Sequence, residues 1–135
     1  MLITRASEYA ILSLILLSSA KEPMDSETLS RELKISKSFL AKILQSLAKE
    51  SILKSYKGSK GGFALHKSTK EISMLDVISI VEGKAPTVFE CSPSEQSCPS
   101  EQANICTIWP FLHKLQGKID SFLAEITLAD IIEEK

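Results

Sequence analysis

Two short capped helices separated by a three-residue turn, followed at once by a switch to strand-like alternation, constrain this chain more than any other feature. Asp25, two residues after Pro23, fits the N-cap of a helix running through Leu29 to Leu33. Lys34-Ile35-Ser36 makes the turn. Ser36 then opens a second helix whose apolar positions Leu40, Ile43, Leu44 and Leu47 fall at i, i+3, i+4 and i+7. Its opposite face carries Lys37, Ser38, Ala41, Lys42, Gln45 and Lys49. That is a helix-turn-helix pattern with a polar, basic outward face. Residues 52–57 and 62–66 read as two short strands, and Gly58-Ser59-Lys60-Gly61-Gly62 between them supplies a hairpin tip. A basic, glycine-rich hairpin directly after a helix-turn-helix is the layout of a winged helix. Its tip is small enough for a minor groove and brings Lys57 and Lys60 to the phosphates.

The flanking segments complete the fold expectation. Residues 10–17 are apolar and are followed by Ser18-Ser19-Ala20, which mimics a secretory signal, but Glu8 balances Arg5 ahead of them. Ile3, Ala6, Ala10, Leu14 and Leu17 on one side, with Tyr9, Leu12 and Leu16 on another, instead fit the mostly buried first helix of a cytoplasmic domain. Ser73 and Asp76 start a helix from Met74 to Glu82, closed by Gly83. Residues 84–104 have no period. A long helix begins near Trp109, with Pro110 in its first turn, and Ile108, Leu112, Leu115, Ile119, Phe122 and Ile126 follow heptad-type steps. Thr127 and Asp130 cap a last short helix from Leu128 to Ile132. The expected architecture is mainly α with a small β wing. It comprises a winged helix-turn-helix domain at 1–83, a cysteine-containing loop at 84–107, and a dimerisation helix with a short C-terminal helix at 108–135. Such a reader pairs as a homodimer on two half-sites of a palindromic operator in double-stranded DNA.

Composition excludes several alternatives. At 135 residues and 44% hydrophobic, the chain is the size of one domain with a small appendage and is too apolar for disorder. No apolar run is long enough to span a membrane. The net charge of −1 conceals an asymmetry. Residues 1–70 hold 12 Lys+Arg against 6 Asp+Glu, a net of +6, and residues 71–135 hold 4 against 11, a net of −7. The basic half suits a polyanion. An enzyme is disfavoured, because there is no Ser/His/Asp constellation, no phosphate loop, and only His66 and His113, far apart. No small-molecule substrate is implied.

Three cysteines are too few for a disulfide scaffold. Cys91, Cys98 and Cys106 are separated by six and seven residues in a polar, proline-containing loop, not on a periodic element. They could converge on a metal as thiolates, with zinc or an iron–sulfur cluster as the candidates, or act as a thiol redox switch. Zinc sites usually pair cysteines closely, and no C-x-x-C is present. Three thiolates leave a fourth position, for which His113, Glu8, His66 and a water or small thiol compete. Glu8 also has an ordinary explanation, a salt bridge to Arg5.

Taken together, the segment from Met1 through Tyr9-Ala10, the helix-turn-helix around Ile35–Leu40, the wing Lys57–Phe63, the three-cysteine loop and Ile126–Ile131 resemble the IscR/NsrR family. These are bacterial winged-helix transcription regulators of the Rrf-two superfamily, and the resemblance covers essentially the whole chain. It implies a dimer through the long helix, a recognition helix in the major groove and a wing on the minor groove. It further implies that Cys91, Cys98 and Cys106 ligate an iron–sulfur cluster, 2Fe–2S ahead of 4Fe–4S, whose state controls DNA binding. In iron–sulfur-biogenesis regulators a histidine three residues past the third cysteine completes the site, and Trp109 stands there. In nitric-oxide-sensing members the fourth ligand is an acidic residue near the start of the first helix, supplied by the partner subunit. Glu8 occupies that place. The cysteine spacings exceed the family's common five.

The function expected is that of a DNA-binding transcription regulator, a repressor, controlled by a cluster that senses nitric oxide, redox state or iron–sulfur status. The alternative is a cluster-free thiol-redox or zinc-responsive regulator of the same fold. The expected DNA contacts are Ser36, Lys37, Ser38, Phe39, Lys42 and Gln45 on the recognition helix, with Lys57, Ser59, Lys60 and Gly61 on the wing. Lysines meet phosphates and set affinity, whereas Ser38, Lys42 and Gln45 are better placed to read base edges.

Overall fold

The computed structural model describes residues 3–59, 61–94, 96 and 105–134. Each helix starts on a side-chain cap where the sequence offers one. Thr4 caps α1 (Arg5–Ser18), Asp25 caps α2 (Ser26–Leu33) and Ser36 caps α3 (Lys37–Lys49). The Thr28 hydroxyl and amide hold the Asp25 carboxyl below the usual carboxylate range, with Arg31 and Lys37 adding to the effect. Between α2 and α3 the chain reverses at Lys34, which is left-handed at φ 57°. The Ile35 amide then returns to the Ser30 carbonyl at 3.0 Å. This turn is the sharp bend that the helix-turn-helix spacing requires.

β1 (Leu53–Tyr56) and β2 (Gly62–Leu65) form an antiparallel hairpin, with Leu53 opposite Leu65 and Tyr56 opposite Gly62. The hairpin is fastened to the entry of α2 by a two-way backbone pair, the Met24 amide to the Phe63 carbonyl at 2.9 Å and the reverse at 2.8 Å. α4 (Met74–Glu82) ends at Gly83, whose φ of 77° only glycine adopts without strain. α5 (Trp109–Glu125) carries Pro110 in its first turn. α6 (Leu128–Glu133) opens on a full capping box, with Thr127 and Asp130 each bonding the other's backbone amide.

One apolar core joins these elements. Ala10 and Leu14 of α1, Leu29 of α2, Leu40, Leu44 and Leu47 of α3, Val77 and Ile78 of α4, and Leu128 of α6 are all fully buried in it. The first helix is not buried as evenly as its sequence suggests. Its inward face is Ser7, Ala10, Ser13, Leu14 and Leu17, while Ile3 and Leu12 are exposed. The two serines lie inward because their hydroxyls find partners. Ser13 donates to the Tyr9 carbonyl at 2.8 Å and Ser7 to the Glu82 carboxylate at 2.8 Å.

The heptad-type seam on α5 divides between two environments. Ile119 and Ile126, together with Leu123, pack on the chain's own core, whereas Ile108 and Phe122, joined by Phe111, stand exposed. The chain then turns back at Ile126. The Met74 amide donates to its carbonyl at 3.0 Å and the Leu128 amide donates to the Ile72 carbonyl at 2.9 Å. α6 thereby seals the base of the winged-helix core. Leu128→Ala should therefore lower the free energy of unfolding by about 2–5 kcal/mol. A urea melt measures this, and a midpoint equal to that of the wild type would show that α6 adds nothing to the core.

Candidate nucleic-acid interface and cysteine loop

The outward face of α3 is open. Lys37, Ser38, Lys42 and Gln45 are exposed, and among the described residues no carboxylate lies within ion-pair distance of either lysine. Their charge is therefore left for an external anion. Ser36 is partly committed, since its hydroxyl accepts from the Phe39 amide at 3.3 Å and lies 3.2 Å from the Ser38 hydroxyl. Phe39 is 40% exposed and packs edge-on against Tyr9, ring centroids 5.8 Å apart. It therefore ties α1 to the recognition helix as well as facing outward.

On the wing, Lys57 and Ser59 are exposed, and Lys60 lies outside the described residues. Gly61 is half-buried, and a Cβ there would come within 2.4 Å of the Tyr56 carbonyl oxygen. Its role is close backbone approach at the hairpin tip. The sequence reading missed Lys54 and Tyr56. They project from the same face of β1, with the Lys54 ammonium 5.4 Å from the centre of the Tyr56 ring. Only Leu53 of β1 is buried, and Lys54, Ser55 and Tyr56 are all exposed, so no alternation marked them in the sequence.

The cysteine loop is held by α5. Cys91 is buried and Cys106 half-exposed, both as free thiols, while Cys98 lies outside the described residues. Among the described residues no three His, Cys, Asp or Glu side chains come together in the manner of a metal site. The Trp109 indole N–H donates to the Cys91 carbonyl at 2.8 Å, and His113 Nδ1 lies 2.8 Å from the Ser92 carbonyl. His113 thus has a structural partner. His66 is exposed just after β2, its amide bonded to the Ile52 carbonyl at 3.0 Å. Glu8 is exposed at the start of α1 and pairs with Arg5 at 3.3 Å. Gln116, a buried amide on α5, gave no sequence signal, yet it organises the loop entrance.

The model of the Rrf2 family, described as iron-dependent transcriptional regulators, matches residues 3–134. This chain belongs to the Rrf2 family. Among its curated relatives is the helix-turn-helix-type regulator YffB of Lactococcus lactis. It is 32% identical over 132 residues, covering 94% of this chain and 84% of that one. The fold is similar to that of T. potens IscR, with a TM-score of 0.74 at 20% identity over 98% of this chain and 86% of the other. It is equally similar to CymR, the global cysteine regulator of B. subtilis, with a TM-score of 0.74 at 20% identity over 98% and 97%. Rrf2 members are DNA-binding transcriptional regulators rather than enzymes. Among the described residues no helix is long and apolar enough to cross a membrane.

The wing of this Rrf2 chain depends on Gly62. Its φ is 138°, and a Cβ there would lie 2.4 Å from the Met24 carbonyl carbon and 2.6 Å from the Asp25 nitrogen. Gly62→Ala should push the hairpin off the Met24–Phe63 pair. Hydrogen exchange at those two amides should then accelerate by about tenfold or more, while the α3 core amides stay protected. Unchanged exchange at both amides would show that the contact does not hold the wing.

Proposed function

We propose that this Rrf2-family chain is a homodimeric repressor whose operator binding is controlled by an iron–sulfur cluster held in the 84–107 loop. The observation that carries the reading is the pairing of two surfaces on one core. Among the described residues the exposed lysines of α3 have no carboxylate within ion-pair distance, and the segment that follows the end of α4 carries the free thiols Cys91 and Cys106. Ser36, Lys37, Ser38, Phe39, Lys42 and Gln45 would enter the major groove. Lys57, Ser59, Lys60 and Gly61 would follow the minor groove, with Lys54 and Tyr56 against the adjoining backbone. The exposed Ile108, Phe111 and Phe122 on α5 supply an apolar face for the second copy.

Thiolates are the donors that iron–sulfur clusters take, and Cys91 and Cys106 are free to serve. With Cys98 they would provide three ligands, and the partner subunit's Glu8 the fourth. A bound cluster would supply a centre that reacts with nitric oxide or oxidants. The Arg5–Glu8 pair does not stand in the way, because both side chains are well exposed and such pairs contribute about 0–1 kcal/mol. Glu8 sits one residue before Tyr9, whose ring touches Phe39 on the recognition helix. Holding or releasing Glu8 therefore bears on α3. Because half-sites lie about one helical turn apart, a small change in the spacing of two recognition helices weakens two-site binding.

A second reading is that the loop responds directly through its thiols or through zinc, with no cluster. Two observations favour it, the likeness to CymR and the occupation by Trp109 of the place where biogenesis regulators carry a histidine ligand. Anaerobic purification separates the two. A brown protein with visible absorption and stoichiometric iron and sulfide is expected. A colourless protein with free thiols or bound zinc would overturn the cluster reading in favour of the second. In the brown protein, Glu8→Ala should weaken the response to nitric oxide or oxidant more than it weakens DNA binding by the unregulated form. Equal effects on both would remove Glu8 from the sensing role.

A further inference from the structure

The turns of α5 nearest the cysteine loop present a ladder of polar side chains to it. Trp109, His113 and Gln116, spaced four and three, lie on one helix face. The Trp109 indole N–H reaches the Cys91 carbonyl at 2.8 Å. His113 stacks on the Trp109 ring, centroids 4.9 Å apart, and its Nδ1, facing the Ser92 carbonyl at 2.8 Å, must carry the proton. Gln116, only 4% exposed, uses both ends of its amide. Its Oε1 accepts from the Val88 amide at 2.8 Å and faces the Ser92 hydroxyl at 2.6 Å. Its Nε2 donates to the Pro86 carbonyl at 3.0 Å and to the Asp120 carboxylate at 2.7 Å.

These contacts fasten the backbone of residues 86–92 to α5 from three successive points. Such a buried amide is costly to leave unsatisfied, so the segment moves only by breaking several bonds at once. The two described thiols are left in different situations. Cys91, 6% exposed, lies within the latched backbone, whereas Cys106 is partly open and, among the described residues, has none of those anchors. We propose that Gln116 is the positioning residue of a latch, completed by Trp109 and His113, that shields Cys91 and makes Cys106 react before it. This rests on reading the loop as the sensing element, and it sets the order in which that element responds. Any ligand or oxidant that reaches Cys91 must first loosen the segment from α5, the helix whose other side exposes Phe111 and Phe122.

The test is alkylation of the full-length reduced protein by iodoacetamide, followed by mass spectrometry. In Cys98→Ser protein, Cys106 should be modified first, and the reverse order would overturn the proposal. With Cys98→Ser and Cys106→Ser together, Cys91 alone remains. Adding Gln116→Ala to that background should accelerate its alkylation by about tenfold or more, as expected when several buried hydrogen bonds are lost together. Trp109→Phe removes only the indole N–H and keeps the ring, and should accelerate it by a smaller factor in the same direction. Leu128→Ala, which loosens the core far from the loop, should leave the Cys91 rate unchanged. The proposal fails if neither latch variant accelerates Cys91, or if Leu128→Ala accelerates it equally, since exposure would then follow global unfolding. The measurement uses neither cluster nor DNA. A colourless preparation, which would sink the cluster reading, leaves its outcome readable.

Discussion

Burial of Ala10, Leu14 and Leu17 sets α1 in the middle of the molecule, in contact with α2, α3, β2, α4 and α6. The geometry of the winged helix follows from these contacts. α3 is held at a fixed angle because Leu40, Leu44 and Leu47 bury against the same core that receives Leu14. The wing is held because Phe63 packs on that core and pairs its backbone with Met24. At its start α1 is fastened to the end of α4, where the hydroxyls of Thr4 and Ser7 both donate to the Glu82 carboxylate. The positive end of the α1 dipole favours a carboxylate at that point. One residue beyond Glu82 the chain turns at Gly83 and enters the cysteine loop. The loop therefore begins beside the start of α1 and is fastened further along to α5.

The helix-turn-helix and wing were legible in the sequence because their signals are local. Caps at Asp25 and Ser36, the spacing of Leu40, Ile43, Leu44 and Leu47, and the glycines at 58, 61 and 62 each act over a few residues. Other features depend on what the chain meets after folding. Ser7 and Ser13, polar residues that ordinarily face water, point inward because Glu82 and the Tyr9 carbonyl satisfy them. The apolar seam of α5 read as one stripe, yet the return of the chain at Ile126 draws Ile119 and Leu123 onto the home core and leaves Ile108 and Phe122 outside. Phe39 carries an outward-facing signal and a contact with Tyr9 that no pattern within α3 could announce.

The site around the cysteines was legible only as composition. Residue type and loop placement marked the thiols as chemically available, and two of the three are free here. The loop has no period, so nothing in the sequence indicated which part of it is anchored. Gln116 makes the point, since a glutamine on an amphipathic helix ordinarily faces water. This one is buried because Pro86, Val88, Ser92 and Asp120 converge to saturate its amide. Trp109 and His113 extend the same face, and the Trp109 indole acts as a clamp on the Cys91 backbone.

On the proposed reading the thiol loop and the winged helix are energetically coupled. The most direct test is the affinity of the anaerobically prepared protein for an operator-bearing genomic fragment, measured before and after the cysteines are chemically blocked. Coupling through α1 and α5 predicts that the two affinities differ by about tenfold or more. Equal affinities in both states would contradict it, leaving a DNA-binding protein whose cysteines play no part in regulation.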